Sequence, residues 1–147
     1  MSHEITSPRP AAVELYDAVG TRAYTLARWI TGDDALACAA VIAAFGSIDG
    51  HDASASVLRD VRRRALAAAP RRAHRSTRGT ERHISATAQA LRDLPEPQRE
   101  LIELVVIGRS DLASVATATA RRPVDAMREL VAAMRGIAPA TAAPSSV

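Results

Sequence analysis

The run Leu112-Ala113-Ser114-Val115-Ala116-Thr117-Ala118-Thr119-Ala120-Arg121-Arg122-Pro123-Val124-Asp125-Ala126-Met127-Arg128-Glu129-Leu130-Val131 decides how the chain is read. Leu112, Val115 and Ala116 fall on one face of a short helix. Beyond Pro123, the residues Val124, Met127, Leu130, Val131, Met134 and Ile137 recur at three- and four-residue spacing, which predicts a second helix with these side chains as one buried stripe. The connection Thr119 to Pro123 is tight, and Pro123 suits a first helical position, where its missing N–H would be unpaired in any case. Followed back to Leu91, the stretch reads as three consecutive helices ending in a helix-turn-helix.

Working outward, the rest of the chain is helical too. Val13, Tyr16, Val19, Ala23, Leu26 and Ile30 predict one helix over Ala11 to Thr31, or two abutting near Gly20. Gly32 stops it, and Asp33 is a good N-cap for a second helix running to about Phe45. That second helix has no polar face, so it is expected to be buried all round or covered by a partner. After a loop from Gly46 to Asp52, a third helix over about Ala53 to Ala69 carries Leu58, Val61 and Ala65 inward and Arg59, Arg62, Arg63 and Arg64 outward. Pro70 ends it. Arg71 to Thr80 lacks apolar periodicity and reads as a basic linker, and a further helix spans about Glu81 to Leu94. No period-2 run of β-branched residues occurs, so the fold expected is all-α: two small helical bundles, residues 11–69 and 81–137, joined by the linker 70–80 and followed by a disordered tail, 138–147.

Composition bounds the chemistry. The single cysteine, Cys38, excludes an internal disulfide and is expected to serve as a small buried side chain. His3, His51, His74 and His83 have no partner at metal-ligand spacing, and no phosphate loop, nucleophile elbow or paired carboxylates appear. No enzyme, metal or cofactor is therefore expected. Nothing in Met1 to Pro10 resembles a signal peptide and no long apolar run occurs, so a cytoplasmic, membrane-free protein is expected. All nineteen basic residues are arginine, the net charge is +3, and Val61 to Thr80 holds seven arginines and no acidic residue. Such a concentration attracts a polyanion. The last helix of a helix-turn-helix can enter a DNA major groove with its N-terminal residues at base edges, which makes Arg122, Val124, Asp125 and Arg128 the candidate readers. Arg109, Arg121 and Arg122 are candidate phosphate contacts, and Arg62, Arg63, Arg64, Arg71 and Arg72, with Arg75, would add affinity without sequence preference.

Ala90-Leu91-Arg92-Asp93-Leu94-Pro95-Glu96-Pro97-Gln98-Arg99-Glu100-Leu101-Ile102-Glu103-Leu104 resembles the opening of the promoter-reading fourth region of extracytoplasmic-function sigma factors. Ser114-Val115-Ala116 stands where that family carries Glu-Ile-Ala, Ala120 where it usually has glycine, and Asp125 to Leu130 where it has Thr-Val-Lys-Ser-Arg-Leu. Glu14-Leu15-Tyr16-Asp17, Leu26-Ala27-Arg28 and Thr31-Gly32-Asp33 resemble the family's second region. The resemblance implies a transcription regulator that binds DNA through its C-terminal half and RNA polymerase core through its N-terminal half.

The chain departs from the family in Ala37 to Phe45, where apolar residues replace the Asp, Gln and Glu that face polymerase. Charge-assisted contacts worth about 1.5 to 3 kcal/mol each cannot be made there, so any polymerase contact would be modified. An alternative function follows, a protein-interaction module in which Cys38, Ala39, Ile42 and Ala43 meet an anti-sigma regulator or a second copy. In either case the Ala39, Ile42 and Ala43 face is expected to be covered, by the C-terminal half or by another protein.

Overall fold

The computed structural model describes residues 10–48, 54–69 and 86–142, and among these there is no strand. Seven α-helices follow in order: α1 Pro10–Thr31, α2 Asp34–Gly46, α3 Ser54–Ala68, α4 Ala86–Arg92, α5 Glu96–Ile102, α6 Leu112–Ala118 and α7 Pro123–Ala142. The all-helical class read from the sequence is the class observed. Helix α1 is continuous through Gly20, which gives room to the Tyr16 ring stacked over it. Gly32, at φ +65, adopts the left-handed conformation that ends α1, and the Asp33 carboxylate accepts the Leu36 N–H at 2.9 Å to start α2.

Helices α1, α2 and α3 pack pairwise through Val19, Ala23, Leu26, Ala37, Ala40, Val41, Ala44, Leu58, Val61 and Ala65, all buried. The same buried cluster continues into Leu101, Leu104, Val115, Ala116 and Ala126 of the second half. One core thus crosses from one half to the other, with α6 against α3 and the segment after α5 against α1. A smaller cluster of Leu91, Ile102 and Ala133 takes in Trp29 from the end of α1.

Helix α5 does not end at Ile102. It widens into a π-helical turn, Glu103–Ile107, closed by Gly108 N–H to the Glu103 carbonyl at 2.8 Å. A β-carbon on Gly108 would lie 2.8 Å from the Leu104 carbonyl oxygen, so only glycine fits. The turn delivers Arg109, in the left-handed region at φ 52, and Ser110 ahead of α6.

Three expectations are corrected by the packing. The stripe of α7 that faces inward is Ala126, Leu130, Ala133 and Ile137, while Val124, Met127, Val131 and Met134 are exposed. Small residues win the inner face because α7 lies close to its neighbours: a β-carbon on Gly136 would sit 3.3 Å from Leu94. Helix α7 also runs past Gly136 to Ala142, into the stretch expected to be a disordered tail. The C-terminal half does not cover α2. It lies against α1 and α3, leaving Cys38, Ala39, Ile42 and Ala43 exposed, Ile42 by 71%.

Candidate nucleic-acid interface

The unit formed by α6 and α7 is fixed at each joint by its own sequence. Asp111 caps α6, accepting the Ser114 N–H at 2.8 Å and the Ser114 hydroxyl at 2.7 Å; these bonds hold its carboxyl below the usual range. At the other end, Arg121 N–H bonds the Ala116 carbonyl at 2.8 Å and Ala120 N–H the Thr117 carbonyl at 3.2 Å. This is the paired pattern of a Schellman C-cap, and it puts Ala120 in the left-handed region at φ 54. The Arg122 carbonyl then accepts from Asp125 and Ala126, both at 3.0 Å, as α7 begins at Pro123.

The candidate readers divide at this point. Arg122 is exposed, Val124 is half exposed and the Arg128 side chain is 75% exposed, 3.5 Å from Asp125, which is itself half-buried. Arg121 is turned inward instead. Its guanidinium lies 3.5 Å from Glu129 and 3.8 Å from Glu100 and reaches the Pro97 carbonyl at 3.4 Å, so it pins the turn rather than facing a phosphate. Arg109 is exposed, and its carbonyl accepts a 2.8 Å hydrogen bond from Arg22, which ties the loop to α1.

The α3 arginines are also sorted by the fold. Arg62, expected on the outer face, has a side chain only 4% exposed and faces three carboxylates: Glu96 at 2.7 Å, Glu100 at 3.5 Å and Glu103 at 3.5 Å. That guanidinium cannot reach a phosphate. It is the ionic centre of the contact between α3 and α5, flanked by Arg59 to Glu100 at 3.5 Å and Arg99 to Glu103 at 3.6 Å. Burial pushes the Glu103 carboxyl above its ordinary value despite Arg62 and Arg99 beside it. Burial pushes Glu96 the same way, but hydrogen bonds from Arg62 and Arg99 outweigh it and leave Glu96 below the ordinary range. Arg63 and Arg64 both bond Asp60, Arg64 at 2.9 Å, and Arg64 also reaches Ser47 at 3.0 Å. Arg63 is mostly exposed and Arg64 half-buried; Arg71, Arg72 and Arg75 lie outside the described residues.

A second face lies between α1 and α2. Tyr16, Gly20, Tyr24, Cys38, Val41, Ile42 and Phe45 line a cleft of about 660 Å³, with Phe45 edge-on to Tyr16 at 5.1 Å. Cys38, expected to be buried, is exposed there. The Tyr24 hydroxyl donates to Asp34 at 2.7 Å and Arg28 donates to the same oxygen at 2.7 Å, holding the Asp34 carboxyl low. Among the described residues no group of three His, Cys, Asp or Glu could hold a metal ion, and no helix is long and apolar enough to cross a membrane.

Comparison with protein-family models finds no match for the chain, and comparison with curated proteins finds none either.

Proposed function

We propose that the chain is a sigma-factor-like transcription regulator, that α6 and α7 act as its helix-turn-helix, and that it engages duplex DNA through the outer face at the start of α7. The observation that carries this reading is the division of labour around the turn. Arg121 is spent on Glu100 and Glu129, while Arg122, Val124 and Arg128 are left on the outer surface of α7. A turn built to display the first two turns of a helix is what groove reading requires. The test is anisotropy of a labelled random-sequence duplex across a salt series. Arg109→Gln and Arg122→Gln should each flatten the slope of log affinity against log salt by about 0.9, one phosphate contact apiece. Unchanged slopes, or no binding at low salt, would reject the reading.

A second reading rests on a separate observation, the 71% exposure of Ile42 beside the α1–α2 cleft. In this reading the sigma-like fold serves as a protein-interaction module, and α2 meets an apolar partner where polymerase would otherwise contact it. Ile42→Glu should then leave folding unchanged and abolish a complex or dimer in size-exclusion chromatography. A variant that keeps every association of the wild-type chain would remove this reading and leave the first intact.

A further inference from the structure

The outer face of α7 has a composition unusual for a helix that reads bases. With 3.6 residues per turn, side chains at Val124, Met127, Arg128 and Val131 (positions i, i+3, i+4 and i+7) share the face opposite the buried Ala126 and Ala133 and the partly buried Leu130. The same spacing is used by a recognition helix lying along a major groove. Three of the four are apolar and exposed, and only Arg128 can donate a hydrogen bond. Arg135 continues the exposed face one turn beyond Val131. Of the carboxylates of α7, Glu129 is drawn aside toward Arg121, while Asp125 lies 3.5 Å from Arg128 and offsets part of its charge, leaving Arg135 as the exposed cation without that offset. The face is therefore cationic and apolar together.

A DNA major groove offers one apolar group on its base edges, the thymine C5-methyl, between two rows of phosphates. Resting on the DNA reading above, we infer that this face selects thymine-rich duplex, with Val124, Met127 and Val131 packing against thymine methyls and Arg128 supplying the one polar base contact. Charge favours this occupant over a second copy of the chain. Paired face to face along the same stripe, two α7 helices would bring Arg128 and Arg135 of each copy together, and like charges at such a seam oppose association.

The experiment selects from duplexes with a randomised centre against the full chain, then remakes the enriched sequence with deoxyuridine in place of thymidine. Uracil keeps every hydrogen-bonding group and lacks only the methyl. Each buried methyl is worth roughly fourfold in affinity, so losing two or three should weaken binding about 15- to 60-fold. Met127→Gln should bind the thymidine duplex more weakly and shrink this ratio, while the salt slope stays as in the wild type. Equal affinity for the two duplexes overturns the inference and leaves DNA binding standing. No binding to any duplex overturns both. A dimer in sedimentation equilibrium that Met127→Gln dissolves would make the stripe a seam between copies, which also overturns it.

Discussion

Replacing Arg62 by alanine should destabilise the protein by about 3 to 5 kcal/mol, the cost of stripping the partner from a buried charge. Glu103 is only 3% exposed and Glu100 15%, so two carboxylates would face a void lined by α3 with one arginine neighbour fewer, Glu100 keeping Arg59 at 3.5 Å and Glu103 keeping Arg99 at 3.6 Å. For a domain of ordinary stability, about 5 to 15 kcal/mol, the loss is about a fifth or more of the total. Urea melts report it directly, because Trp29 is the only tryptophan and sits in the small cluster with Leu91, Ile102 and Ala133, against the second half. The loss should shrink in acid. Glu103 already has a raised pKa, and without Arg62 it rises further, so protonation relieves the variant as pH falls. Glu96, depressed by Arg62 in the wild type, gives up its own stabilising contribution only further down, as pH falls below the ordinary carboxylate range. The gap between variant and wild type is thus larger at about pH 8 than at about pH 5. The double variant Arg62→Met with Glu103→Leu should recover most of the loss, since an apolar pair of similar volume often equals or exceeds a buried ion pair. A loss below about 1 kcal/mol for Arg62→Ala would refute the reasoning, placing Arg62 among ordinary surface pairs.

Ala120→Gly should raise stability by about 1 kcal/mol, seen as a rise in thermal midpoint, because glycine removes the left-handed strain at the Schellman turn. Gly108→Ala should do the reverse by more than that, since its β-carbon meets the Leu104 carbonyl; a neutral result would mean the π-helical turn relaxes freely. Asp111→Ala should lower the thermal midpoint by uncapping α6. Because the Asp111, Asp60 and Glu96 carboxyls are held low, their stabilising contribution is full above the ordinary carboxylate range and is lost as pH falls through their folded-state values. An acid melt of Asp111→Ala should accordingly converge on the wild type.

The helices and their stops were legible because each rests on a local device: Gly32 and Asp33 between α1 and α2, Pro123 at the start of α7, and three- and four-residue apolar spacing throughout. The orientation of α7 was not, because two apolar stripes compete on it, and volume favours the larger side chains where close packing favours Ala126 and Ala133. The burial of Arg62 had a signal that charge alone obscures. It lies four residues after Leu58 and three before Ala65, on their face, and Glu96 and Glu100 of α5 with Glu103 of the π-helical turn repeat the same spacing. A cation aligned with a core stripe, opposite a stripe of carboxylates, is a buried network in outline. Which arginines of the turn face outward could not be read, since Arg121 and Arg122 are adjacent and only the Schellman geometry separates them.

The most direct test of DNA engagement by α7 is amide chemical-shift mapping of the full chain as a thymine-rich duplex is added. Shifts concentrated on Arg122 to Arg135, with the α1–α2 cleft unmoved, are the result expected. Shifts confined to that cleft, or none at all, would contradict the account.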